Sequence, residues 1–178
     1  MISDWNHWNK ARSGDSISSE IIFIKYSKSL IRMTSLITGS IDSAKDVVQE
    51  TFVKLFSGKI KHQDGNFKTY ITTIAYRLAL KEKYRKQRVQ NVENISIIDN
   101  LSSPIENQIK NENQKFIFNA ITSLPKHQRE ILILRFYGEH SYEEIAKITE
   151  LPLGTVKSRI FYAVKTCRSK LKEMGVFG

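Results

Sequence analysis

The stretch "SYEEIAKITELPLGTVKSRIFYAVKTCRSKLK", residues 141–172, decides the fold. Ser141 followed three residues later by Glu144 is a capping box, a helix-start signal. Ile145, Ala146 and Ile148 supply the inner face of that helix. The turn "TELP" follows, and Pro152 suits the first position of a second helix. There Val156, Ile160, Ala163, Val164, Cys167 and Leu171 recur at helical spacing and predict one buried stripe. Thr155, Lys157, Ser158, Arg159 and Tyr162 lie off that stripe in its first turns. From Gly154 to Lys172 the bases are Lys157, Arg159, Lys165, Arg168, Lys170 and Lys172, with no acid among them. A charge run alone is most often a solvated face. Here cap, turn, proline and cation-only face coincide, the pattern of a helix-turn-helix whose second helix enters a DNA major groove. Lys and Arg reach phosphates or guanine edges, and Thr and Ser take backbone or base contacts. Cys167 falls on the stripe and reads as core, not as a reactive thiol.

The rest of the chain agrees with a polyanion binder. Its 178 residues carry a net charge of +10 and are 40% hydrophobic, enough to pack small cores. One cysteine excludes an internal disulfide and fits a reducing cytosol. The N-terminus has no apolar signal core, and no greasy run is long enough to span a bilayer. A cytoplasmic protein without membrane insertion is expected.

Helical periods dominate and alternating strand patterns are hard to find, so the expected fold class is all-α. Two small helical domains are predicted, 1–90 and 114–178, joined by a linker over 91–113. In the first, a helix runs from Ser16 to about Ile37, with Ile21, Ile24 and Ile31 on one side. A second lies within "GSIDSAKDVVQETFVKLFSG", capped by Asp42 or Ser43 and stopped at Gly58. A third runs from about Phe67 to Arg88. Composition then shifts: residues 89–113 are rich in Asn and Ser, with four acids and one base. Helices resume from about Gln114 to Leu124 and from Pro125 to about Tyr137, ahead of the helix-turn-helix.

The third helix is a second cationic element, with seven bases and one acid from Lys68 to Arg88. Ile71, Ile74, Ala75 and Leu78 form its inner face. Arg77, Lys81, Arg85 and Arg88 recur on another, with Tyr76 and Tyr84 close by. Cations interleaved with aromatics suit single-stranded nucleic acid, whose exposed bases stack on rings. The bland alternative is that these tyrosines pack against neighbouring helices. In "SAKDVVQETFVKLF", Ala44, Val47, Val48, Thr51 and Leu55 face inward, leaving Asp46, Gln49, Glu50 and Val53 on another side. Taken alone that is an ordinary acidic face near a helix N-terminus. Phosphate loops, HExxH, CxxC and G-x-S-x-G are absent, and the four histidines are scattered. The reading is of a protein with no catalytic site, metal or cofactor.

Three blocks in this order resemble bacterial sigma factors of the sigma-70 family, extracytoplasmic-function (ECF) group. "SAKDVVQETFVKLF" resembles the helix that grips core RNA polymerase. "FKTYITTIAYRLALKEKYRKQR" resembles the helix that reads and melts the downstream promoter element. "SLPKHQREILILRFYGEHSYEEIAKITELPLGTVKSR" resembles the domain that reads the upstream element. The blocks cover about two-thirds of the chain. The resemblance implies core RNA polymerase and promoter DNA, both duplex and single-stranded, as partners, with an anti-sigma factor as a further candidate. It implies a polymerase face of Asp46, Gln49, Glu50 and Phe52, and a loop over 57–66 that catches a flipped-out base with Lys59, Lys61, His62 and Asn66. The chain departs from the family pattern at Tyr70, where a tryptophan is usual. It departs again at Arg77 and Lys81, where Asn and Asp are usual; the cations strengthen phosphate attraction but lose amide and carboxylate chemistry. Glu150 replaces a frequent turn glycine, at a strain of roughly 1–2 kcal/mol if left-handed.

Stretched, residues 89–113 reach about 85 Å at ~3.4 Å each; relaxed, they span on the order of 25–30 Å. Either sets two reading modules on separate turns of a duplex. Two other functions stay open on sequence. One is a stand-alone helix-turn-helix regulator, against which "DVVQETF" argues. The other is a protein that only sequesters polymerase, which promoter-dependent transcription would distinguish.

Overall fold

The computed structural model describes residues 3–57, 65–92 and 112–175. The described residues form eight α-helices and no strand: α1 (Asp4–Arg12), α2 (Ser16–Thr38), α3 (Ile41–Phe56), α4 (Phe67–Val92), α5 (Glu112–Thr122), α6 (Lys126–Phe136), α7 (Tyr142–Thr149) and α8 (Leu153–Glu173). The all-α fold class is as expected from the helical periods.

Helix α1 has no counterpart in the sequence reading. Ser3 caps it, and its only large apolar residues are Trp5 and Trp8, too few for a periodic signal. Trp8 is fully buried. Asp4 fastens α1 to α2, accepting from Lys25 Nζ at 2.7 Å and Tyr26 Oη at 2.7 Å. Burial pushes the Asp4 carboxyl up, but those two hydrogen bonds outweigh it and hold it below its ordinary value.

Asp15 caps α2, and Gly39 ends it in a left-handed turn. The buried face is Ile22, Tyr26, Leu30, Met33 and Ile37, whereas Ile21 and Ile24 are exposed. The helix is apolar on more than one side, so periodicity alone does not identify the inner one. The cap of α3 is Ser40, whose hydroxyl accepts from Ser43 N–H, and not Asp42 or Ser43. Ala44, Val47, Val48, Thr51 and Leu55 are buried as expected.

Helix α4 begins where Asn66 Oδ1 accepts from Lys68 N–H at 2.9 Å, and it runs past Arg88 to Val92. It packs on α2 and α3 on one side and on α7 on the other. Two-sided packing explains why Tyr70, Ile71, Thr72, Ala75, Tyr76, Leu78 and Ala79 are all buried. In the C-terminal half, α8 buries Val156, Ile160, Ala163 and Cys167, while Val164 is exposed. Burial raises the Cys167 thiol above its ordinary value, consistent with a core thiol. The α6–α7 turn needs Gly138, since a Cβ there would stand 2.7 Å from the Leu134 carbonyl oxygen. The halves touch through α4–α7 and α2–α6.

Candidate nucleic-acid interface

The α7–turn–α8 unit is built as its residues dictate. Ser141 Oγ accepts from Glu144 N–H at 3.1 Å, and Glu144 Oε2 accepts from Ser141 N–H at 2.8 Å, completing the capping box. Glu150 closes α7 at φ 57°, ψ 32°, the left-handed conformation that a glycine adopts without strain. Pro152 is the cap residue of α8 and Leu153 its first helical residue, one position later than expected. Lys157, Ser158 and Tyr162 are exposed; Thr155 and Arg159 are half-buried. Phe161, absent from the sequence-derived set, is 64% exposed and meets the Tyr162 ring edge-on at 5.4 Å. Its position next to buried Ile160 and off the apolar stripe was the available signal.

The basic face of α4 is partly covered. Arg77, Lys81, Arg85 and Arg88 are exposed, and Arg85 forks onto Glu82 at 2.9 Å. Tyr76, read as the base-stacking candidate, is 7% exposed; its hydroxyl donates to Glu130 at 3.2 Å. Burial first, and Glu130 second, raise the phenol's pKa. Tyr76 therefore presents no ring to a base while the halves are together. Tyr70 is buried too. Tyr84 is exposed, with Lys126 Nζ 3.9 Å from its ring centroid. Lys59, Lys61 and His62 lie outside the described residues.

What covers α4 is acidic. Residues 114–178 hold six carboxylates: Glu130, Glu139, Glu143, Glu144, Glu150 and Glu173. Four of them are turned to α4. Glu144 Oε1 accepts from Asn66 Nδ2 at 2.9 Å and from Thr69 Oγ1 at 2.8 Å. Glu150 pairs with Arg77, Glu139 stands 3.6 Å from Lys68 Nζ, and Glu130 takes Tyr76. Burial works to raise the Glu144 carboxyl, but hydrogen bonds from Ser141 and Thr69 and the nearby His140 win and lower it. His140, fully buried, contacts Thr72 Oγ1 at 3.0 Å through Nε2. Carboxylates thus occupy Asn66, Lys68, Thr69, Tyr76 and Arg77 in the closed arrangement.

On the outer side of α3, Asp46, Gln49 and Glu50 are exposed together, with Glu50 paired to Lys54 at 3.0 Å. Phe52 departs from the expectation of a partner-facing ring. It is 6% exposed, packed on Phe23 at 4.9 Å and on Phe56 at 6.1 Å, because it points into the α2–α3 seam. Phe23 and Val53 are the exposed apolar groups beside this face. Among the described residues no cluster of His, Cys, Asp and Glu could hold a metal, and no helix is long and apolar enough to cross a membrane.

Residues 22–89 match the family Sigma-70 region 2, and residues 117–167 match Sigma-70, region 4. The ECF RNA polymerase sigma-E factors of Escherichia coli (strain K12) and Salmonella typhi are each 28% identical over 177 residues, covering 93% of this chain and 92% of theirs. The RNA polymerase sigma-H factor of Pseudomonas aeruginosa is 26% identical, with the same coverage. The sigma factor RpoE from Bartonella quintana, solved with the anti-sigma factor NepR, has a TM-score of 0.69 at 24% identity, covering 86% of this chain and 96% of that one. CnrH, solved with the cytosolic domain of CnrY, has a TM-score of 0.67 at 19% identity, covering 94% and 96%. The two structures share the fold.

Proposed function

The chain belongs to the sigma-70 family, as an extracytoplasmic-function sigma factor, and we propose that it directs core RNA polymerase to promoters through three separate surfaces. As an initiation factor it is not itself an enzyme. The first surface is the exposed face of α3, where Asp46, Gln49 and Glu50 meet polymerase. Phosphates repel carboxylates, so this face suits a protein partner and not DNA. The second is α4 with Asn66, which takes the downstream element. Arg77, Lys81, Arg85 and Arg88 track phosphates, and Asn66 offers an amide to a base edge. Lys61 and His62 belong to the same set by their place in the chain. The third is the start of α8, where Thr155, Lys157, Ser158, Arg159 and Tyr162 enter the groove of the upstream element. Residues 1–90 and 114–178 act as the two reading domains, with 91–113 as the tether.

The observation that carries this reading is the order and chemistry of the surfaces: the acidic face of α3, basic α4, then a capped helix-turn-helix whose second helix carries cations and no acid from Gly154 to Lys172. A lone duplex regulator has no use for the first two. In use, the halves must part, because Glu130, Glu144 and Glu150 hold Tyr76, Asn66 and Arg77 in the closed arrangement. The place of action is the cytoplasm, where polymerase and promoter are found. An anti-sigma factor is a fitting regulator for such a chain. The test is run-off transcription: purified chain added to core RNA polymerase should yield a discrete promoter-dependent transcript, and none without it. Binding to polymerase with no transcript from any genomic fragment would leave only a sequestering role.

A further inference from the structure

Both tryptophans of the chain lie in α1, and each indole N–H is spent on a backbone carbonyl flanking the connector between α3 and α4. Trp8 Nε1 donates to the Leu55 carbonyl at 2.8 Å, in the last turn of α3. The indole hydrogen-bonds a buried carbonyl at a helix end, where the last carbonyls run out of intrahelical donors. Trp5 Nε1 donates to the Gly65 carbonyl at 2.8 Å, on the far side of the connector. Gly65 sits at φ +124°, open to glycine, one residue before Asn66. The Trp5 ring also packs on the first turn of α4, at 4.9 Å from Phe67 and 5.2 Å from Tyr70, and edge-on to Trp8 at 5.4 Å. α1 lies ahead of residue 22, where the match to region 2 begins.

We infer that α1 is a two-point clamp, in which Trp5 is a positioning residue that fixes Gly65 and so aims Asn66 at the downstream element. The geometry separates its two halves. Trp8 is fully buried and its ring belongs to the core. Trp5 is only half-buried, and its bond to Gly65 lies at the surface. Its polar function can therefore be removed without a cavity. Asn66 already has its Oδ1 committed to the α4 cap, which leaves its amide as the group that faces outward. In the closed chain Glu144 takes that amide. A base edge would take it once the halves part, and an accurate hydrogen bond requires a fixed backbone beneath it.

The inference rests on the assignment of Asn66 to the downstream element, and the experiment keeps the two apart. Holoenzymes are assembled from core RNA polymerase and full-length wild type, Trp5→Phe or Asn66→Ala. The probes are fork-junction templates from a promoter the wild type transcribes, each with one base changed in the downstream element. Phenylalanine keeps an aromatic ring at this half-buried position and removes the N–H. The expected result is unchanged polymerase affinity and unchanged duplex binding at the upstream element. Discrimination at one downstream position should fall by about fivefold in Trp5→Phe, the worth of about one neutral hydrogen bond, and at that same position in Asn66→Ala. Loss in Asn66→Ala with full discrimination in Trp5→Phe would overturn the clamp while leaving the assignment of Asn66. Full discrimination in Asn66→Ala would sink the assignment on which the clamp rests. A Trp5→Phe chain whose polymerase affinity, duplex binding and discrimination fell together would reduce Trp5 to general packing and overturn the inference as well.

Discussion

Glu150 holds a left-handed conformation between α7 and α8, at φ 57°. A side chain with a Cβ is strained there by roughly 1–2 kcal/mol, and its exposed pairing with Arg77 returns at most about 1 kcal/mol. Glu150→Gly should therefore stabilise the chain, by about 0.5–1 kcal/mol read as a rise in the urea midpoint at unchanged slope. A lower midpoint would mean that the Arg77 pair outweighs the strain. Lys157 and Arg159 belong to a different balance. A cation that meets a phosphate should, when removed, flatten the salt dependence of duplex binding by about one unit, on every sequence. A side chain that reads a base edge should, when removed, cost about 1–3 kcal/mol at one position only. Lys157→Ala and Arg159→Ala are expected to show one or the other by titration at several salt concentrations. Unchanged affinity and slope in the double variant would remove α8 from the groove.

Helix α3 gives the sharpest test of an entire face. Asp46, Gln49 and Glu50 are exposed and make no core contact, so replacing all three with Ala should leave helical content intact by circular dichroism and abolish holoenzyme assembly. Normal assembly by the folded triple variant would move the polymerase contact elsewhere, with exposed Phe23 and Val53 the nearest groups. The inner face of α3 was legible because Ala44, Val47, Val48, Thr51 and Leu55 repeat at one clean period. The capping box of α7 was legible because two side chains and two amides suffice to make it. Phe52 was misread because an aromatic off the main stripe can still enter a seam with a neighbouring helix, here beside Phe23. The inner face of α2 was ambiguous because isoleucines surround that helix. Helix α1 was invisible because its hold on the fold rests on a few single contacts, two indoles, the Asp4 carboxylate and the His7 ring against Ser18, which leave no local period. The cover on α4 was illegible for the same reason: Glu130 and Glu150 look like solvated acids, and Glu144 like a capping residue alone, until the halves are brought together.

The closed arrangement of the two halves gives the molecule its electrostatic character. The C-terminal half turns four of its six carboxylates onto α4 and carries six of its eleven Lys and Arg on α8, so a basic chain covers part of its own cationic α4 with acids. His140 sits in this seam, facing Thr72, Glu144, Glu139 and Lys68, and burial holds its pKa below the ordinary value despite the neighbouring Glu144. Its unfolded counterpart takes up a proton near pH 6.5, so the unfolded state binds more protons just below that value. The stabilisation from neutral His140 is full above about pH 6.5 and is lost as pH falls through the depressed folded value. Urea unfolding should show less stability at pH 5.5 than at pH 7.5 in wild type, and a smaller difference in His140→Asn. Equal pH dependence in both would place the titration outside the seam.

The proposed function requires the halves to part on polymerase, which would free Tyr76, Asn66 and Arg77 from Glu130, Glu144 and Glu150. Spin labels at Lys28→Cys on α2 and Lys165→Cys on α8, both exposed positions, in a Cys167→Ser chain report it directly by dipolar distance. The free chain should give one short distance, replaced by a longer one in the holoenzyme on promoter DNA. The same short distance in the transcribing complex would contradict the account, since α4 would then remain covered while the promoter is open.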